Sequence, residues 1–155
     1  NGRQYLLSYN RFTERMQAYR MDYLQNVEQG ETIPDFDSLR EKLGGMEKHM
    51  WGVMTPKAGS RMDNVSFDVH VDAGEEYIIQ RLQREKRCGT VAQIDGQTYR
   101  FTADVYDATE MVPWIRTFLC RIVRIRFSNR GLEAQFRSDL QAMYAMYGVE
   151  GGESL

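Results

Sequence analysis

Asn64-Val65-Ser66-Phe67-Asp68-Val69-His70-Val71 is the stretch that decides the fold. Val65, Phe67, Val69 and Val71 alternate with Ser66, Asp68, His70 and Asp72, the two-residue period of a strand with one face in a core and one in solvent. Downstream, Asp72 and Glu75 have the D-x-x-E spacing of a capping box ahead of Tyr77, Ile78, Ile79 and Leu82. That pattern predicts a helix to about Arg87, with Gly89 just past its end. Thr90 to Ile94, an Asp95-Gly96 turn and Thr98 to Tyr106 read as a hairpin with Tyr99, Phe101, Ala103 and Val105 on one face. Asp107 and Glu110 repeat the cap spacing, Pro113 falls within the first turn or so, and Met111, Trp114, Ile115, Phe118 and Leu119 supply an apolar stripe to about Arg121. Val123, Ile125 and Phe127 alternate with Arg124, Arg126 and Ser128 as a last strand. Leu132, Phe136, Leu140, Met143 and Tyr147 then recur at helical spacing in a final helix.

The predicted order is βαββαβ plus one helix, which is the ferredoxin-like split βαβ arrangement: two helices on one sheet face, the other face open. With the apolar alternation facing the helices, the open face carries Ser66, Asp68, His70, Arg100, Thr102, Asp104, Arg124 and Arg126. An RNA-recognition motif shares this element order but needs stacking aromatics on the open face and an RNP1 run. Gln97-Thr98-Tyr99-Arg100-Phe101-Thr102 does not fit RNP1, and its two aromatics belong to the covered side, so that reading is set aside.

Upstream, residues 52–63 (GVMTPKAGSRMD) collect Gly, Pro and Ser and lose hydrophobic periodicity, the composition of a linker. Phe36 to His49 reads as a short helix that Gly44-Gly45 would weaken or interrupt. Residues 4–10 (QYLLSYN) and about 16–23 (MQAYRMDY) read as two β segments. Asn1-Gly2 is a type I′ turn signal, which needs a strand before it, so the chain is expected to enter a sheet whose earlier strands lie outside this sequence. The expected organisation is α+β: residues 1–51 as partial barrel strands with a following helix, a linker over 52–63, a domain over 64–148 and a disordered tail over 149–155.

The 155 residues carry 42% hydrophobic and 27% charged side chains, enough for a buried core, and a net charge of −2 argues against a strongly basic nucleic-acid coat. No apolar run approaches the roughly 18 residues of a membrane span and no signal peptide opens the chain, so a soluble cytoplasmic protein is expected, without a membrane partner. Cys88 and Cys120 make neither a CxxC pair nor a disulfide framework. His49 and His70 share no motif, and no G-x-S-x-G, P-loop, H-E-x-x-H or G-x-G-x-x-G occurs, so no enzyme, cofactor or metal is expected. Cys120 is read as core and His70 as a surface group on a polar strand face.

Two separated stretches resemble the WYL-domain family of bacterial transcriptional regulators. Gln4-Tyr5-Leu6, followed by Leu7-Ser8-Tyr9, stands where the family has its W-Y-L strand, and Tyr19-Arg20-Met21-Asp22 looks like the next strand's aromatic-Arg-Leu-Asp run. Pro113-Trp114-Ile115 through Arg121, Ser128-Asn129-Arg130 and Phe136 to Tyr144 look like the C-terminal extension (WCX) that follows WYL. The sequence departs from the pattern at Gln4, in place of the motif's Trp, and at Tyr23, where many members carry an Arg. The resemblance implies a regulator with an N-terminal winged helix-turn-helix, an Sm-like or SH3-like WYL barrel and this extension. It also implies ligand sensing, nucleic-acid pieces among the ligands, duplex DNA contacted through the N-terminal module, and a homodimer.

Three basic groups are candidates for ligand contact. Arg116, Arg121, Arg124, Arg126 and Arg130 fall within 15 residues containing no Asp or Glu, a local charge of +5 in a chain of −2. Arginine's planar fork suits phosphate, and the alternative is pairing of Arg124 and Arg126 with Asp68 and Asp104 across the sheet. Arg3, Arg11, Arg15 and Arg20 are interleaved with Tyr5, Tyr9 and Tyr19, a combination that can stack bases and hold phosphates, or simply line a barrel. Arg81, Arg84, Lys86 and Arg87 end a helix and complement its dipole. The selected nucleic-acid or anion contacts are Tyr5, Arg15, Tyr19, Arg20, Arg121, Arg124 and Arg126, with Met143, Tyr144 and Tyr147 as dimer contacts. The rival readings are a small-molecule regulatory domain and a pure dimerisation scaffold.

Overall fold

The computed structural model describes residues 3–57 and 59–148, so the Asn1-Gly2 turn and the 149–155 tail lie outside the described residues. Two antiparallel sheets and four helices make the fold α+β. Strands β1 (Tyr5–Asn10) and β2 (Arg15–Arg20) pair alone, with Tyr5 opposite Arg20 and Asn10 opposite Arg15. Their turn is closed by the Asn10 side-chain oxygen, which accepts from the Phe12 and Thr13 amides at 3.0 and 3.1 Å. β2 stops at Arg20, short of the expected Tyr23, because Met21–Tyr23 winds into a 3-10 turn. Helix α1 (Phe36–Glu47) passes through Gly44-Gly45 uninterrupted and buries Met46 beyond them, tertiary packing that offsets the roughly 1 kcal/mol each glycine costs relative to Ala. Arg11 pairs with Asp35 just ahead of α1, and the Lys42 ammonium lies 5.0 Å over the Tyr9 ring, which ties α1 to the hairpin.

The second sheet is built from β3 (Asp63–His70), β4 (Thr90–Gln93), β5 (Thr98–Val105) and β6 (Ile122–Phe127), in the order β4-β5-β3-β6. Registers of Val65 with Ala103 and Phe127, and of Phe67 with Phe101 and Ile125, place these apolar members of the alternation on one face. That face is covered by α2 (Glu76–Glu85), α3 (Val112–Arg116) and α4 (Arg130–Met146), whose Ile78, Leu82, Ile115 and Phe136 join the strands' Val65, Phe67, Val69, Phe101 and Val105 in one core. Burying such side chains supplies roughly 1.5–3 kcal/mol each, which is why the period-2 pattern is obeyed so closely here. Gly89, between α2 and β4, has φ +82, and a Cβ there would lie 2.6 Å from the Thr102 carbonyl oxygen, so the strand can approach only because the residue is glycine.

Further expectations need correction. The helix expected up to Arg121 is broken into a 3-10 turn over Ala108–Met111, the short α3 and a second 3-10 turn over Leu119–Arg121. Thr117 directs both its amide (3.0 Å) and its hydroxyl (2.7 Å) to the Trp114 carbonyl three residues back, a local competitor that tightens the turn and ends the α-helix. Cys120, in that second turn, is exposed, whereas Cys88 is buried. Val123 is the extra residue where the register between β3 and β6 shifts, so Ile122 takes the core side opposite Val69 and Val123 is 54% exposed. Finally, Trp51 belongs with the second sheet's core rather than with residues 1–50. Its ring lies 4.6 Å from Trp114 and 6.2 Å from Phe101, and the Glu110 carboxylate accepts from the Gly52 and Val53 amides at 3.0 and 2.9 Å. Glu110 therefore anchors the start of the linker instead of completing a capping box with Asp107, which caps Thr109 by itself.

Candidate functional site

Among the described residues no helix packs on the other face of the four-stranded sheet, and its centre is a charged row. Asp68 sits on the middle strand, opposite Arg100 on β5 and Arg124 on β6. Arg100 donates from Nε and Nη2 to the two carboxylate oxygens at 2.7 and 2.8 Å, a bidentate fork. Asp68 is only 6% exposed, so desolvation works against its charge. The Arg100 hydrogen bonds outweigh that burial and, with the nearby charges of Arg100, Arg124 and Arg126, hold the Asp68 carboxyl below its ordinary value. The neighbouring row sets Arg126 opposite Ser66 and Ser66 opposite Thr102. Ser66, Asp68, Arg100, Arg124 and Arg126 line a depression of about 60 Å³.

The five-arginine run divides once folded. Arg116 pairs with Asp139, and Arg121 is held by Asp72 at 3.1 Å and by Glu75, so neither is free for a ligand. Arg124 and Arg126 are exposed and form no ion pair among the described residues; the expected alternative, pairing with Asp68 and Asp104, is occupied otherwise. Arg100 takes Asp68, and Asp104 accepts from the Asn64 side-chain amide at 2.9 Å. Arg100 is a site residue that the sequence reading places on the open face but not among the ligand contacts; the signal for it is its position in the β5 alternation, on the same face as Asp68.

The hairpin candidates are not brought together. Tyr5 and Arg20 face each other on one side of the β1–β2 ladder, whereas Arg15 and Tyr19 lie on the opposite side. Arg20 is committed locally: its Nε donates to Asp22 at 3.0 Å and its guanidinium lies 4.2 Å over Tyr23. Tyr19 donates its hydroxyl to Gln17 at 2.5 Å, and Arg15 is exposed. Tyr5 instead lines an open cleft of about 780 Å³ with Arg3, Trp51, Arg87, Glu110 and Trp114.

Three of the four basic residues at the end of α2 have structural partners, and Arg84 remains exposed. Arg81 holds Glu85 at 3.0 Å and stacks 4.5 Å over Phe118, Lys86 bonds the Gly89 carbonyl and Arg87 bonds the Trp51 carbonyl. His70 lies 3.2 Å from Asp72, and His49 Nδ1 is 2.9 Å from the Asp104 carbonyl, so each histidine has a local partner. Among the described residues no three His, Cys, Asp or Glu side chains converge on a metal-sized site, and no helix is long and apolar enough to cross a membrane. Comparison with known proteins returns no match: no family model, no curated protein and no solved structure is similar to the chain.

Proposed function

We propose that this chain is the ligand-sensing and oligomerisation portion of a WYL-family bacterial transcriptional regulator, a non-enzymatic cytoplasmic protein. In this reading residues 1–51 contribute the last strands of an Sm- or SH3-like barrel and residues 64–148 form a ferredoxin-like extension. The strand order β4-β5-β3-β6, with helices on one face, supports the second assignment. The ligand is anionic, a piece of nucleic acid or a comparable species, and its binding controls a helix-turn-helix joined upstream.

The observation that carries the reading is the helix-free sheet face, where Arg124 and Arg126 stand exposed without an ion-pair partner among the described residues, around a carboxylate that Arg100 already satisfies. Exposed guanidiniums left unneutralised attract phosphate and release counterions when they bind it. Fluorescence anisotropy of the full-length regulator with labelled single-stranded oligonucleotides at two salt concentrations tests the reading. Binding at low salt that weakens steeply with salt is expected; no binding at low salt, or binding unaffected by Arg20→Ala and Arg124→Ala together, would sink it. A metabolite sensor is the second reading, favoured by the aromatic cleft around Trp51 and Trp114. A thermal-shift screen that responds to a metabolite and to no oligonucleotide selects it.

A further inference from the structure

We infer that the helix-free face holds phosphate groups, with Arg124 and Arg126 as the binding pair and no base-stacking platform beside them. The inference rests on the anionic-ligand reading above and narrows it to one chemistry and one surface.

Arg124 and Arg126 are two residues apart on one strand, so their Cα atoms lie about 6.6 Å apart and both side chains rise from the same face. Arg100, Arg124 and Arg126 surround one carboxylate, which leaves the depression with a net charge of +2. The carboxylate does not repel an incoming anion at contact, because both its oxygens accept from Arg100 and it is almost wholly buried. Ser66, opposite Arg126, adds a hydroxyl donor at the floor.

Shape and composition point the same way. At about 60 Å³ the depression is several-fold smaller than the roughly 300 Å³ at which pockets for drug-sized ligands begin, so it admits an anionic group and not a whole nucleoside. The sheet's large aromatics, Phe67, Tyr99, Phe101 and Phe127, all pack on the core side, which leaves bases nothing to stack on. Contacts of this kind position a backbone and do not read its sequence. The phosphate can come from a free phosphate species or from the diester backbone of an oligonucleotide.

The test titrates the 155-residue chain with inorganic pyrophosphate by calorimetry and with a labelled single-stranded oligonucleotide by anisotropy, at low and moderate salt. Three proteins are compared: the unaltered chain, Arg124→Gln with Arg126→Gln, and Arg15→Gln with Arg20→Gln. Because Arg124 and Arg126 are exposed, the first variant is expected to keep the parent's circular dichroism and melting profile. Expected is at least a tenfold loss of phosphate binding in the Arg124/Arg126 variant, a salt slope smaller by about 1–2, and a change under twofold in the Arg15/Arg20 variant. Tighter pyrophosphate than oligonucleotide binding assigns a free phosphate species, and the reverse assigns the diester backbone. Binding unchanged in the Arg124/Arg126 variant, or lost equally in both variants, overturns the inference and leaves the anionic sensor standing. No binding of either probe at low salt overturns both.

Discussion

Asp68 and Arg100 form a pair whose two members are in unequal surroundings: the carboxylate is buried, the guanidinium side chain 43% exposed. Removing the exposed member therefore costs more than an exposed ion pair is worth, because an acceptor is left without its donors. Arg100→Met is expected to lower the urea midpoint of unfolding at neutral pH, because the buried Asp68 carboxylate loses both its donors. The pH dependence follows from a carboxyl held below its ordinary value in the fold. Its contribution is complete above the unfolded-state value of about 3.9 and is lost as pH falls through the lower folded value. The stability difference between the parent and Asp68→Asn should accordingly shrink below about pH 4, measured by denaturation across pH 2.5–7. Gly89→Ala combines a positive φ with an obstructing Thr102 carbonyl and should cost more than about 1 kcal/mol by the same assay. The alternation of β3 and β5 already put Asp68 and Arg100 on one face, but register, and hence their pairing, depends on backbone hydrogen bonds between distant segments.

At the level of elements, strands with one buried face were readable because burial enforces their period, as Val65 to Val69 and Phe101 to Val105 illustrate. Elements governed by one local hydrogen bond were not. Thr117 ends α3 through the Trp114 carbonyl, and nothing in an apolar stripe reports a side chain that competes for a backbone acceptor. Val123 follows the alternation in sequence yet leaves it in space, because a single inserted residue reverses the facing of everything before it on β6. Trp51 carried no signal at all: one aromatic between Met50 and Gly52 has no periodicity, although Trp114, Phe101 and the Glu110 anchor give it a place. Trp51→Ala should destabilise the second sheet's core by about 3–5 kcal/mol, and a fragment starting at residue 64 should have a lower urea midpoint than one starting at residue 49.

For the whole molecule, the near-neutral total charge of −2 conceals an uneven distribution. Folding neutralises Arg116 and Arg121 against Asp139, Asp72 and Glu75, and leaves Arg124 and Arg126 exposed on a face without helices. The sequence could reveal how many arginines cluster, but only tertiary placement decides which remain unneutralised. The same folded surface bears on self-association: an apolar groove of about 380 Å³ runs between β6 and α4, bordered by Val123, Met143 and Tyr144. The proposed homodimer predicts that Met143→Glu with Tyr144→Glu shifts the chain towards monomer in sedimentation velocity, with secondary structure retained by circular dichroism.

The displaced Val123 has a further consequence. β6 lies at the margin of its sheet, where free amides and carbonyls invite another strand to add on. A kink there spoils the straight ladder that such an addition copies, and the row of exposed arginines beside it sets like charges against each other in any in-register stack. The irregularity thus works against runaway fibre growth, because the margin of the sheet offers no regular ladder for a further strand to copy.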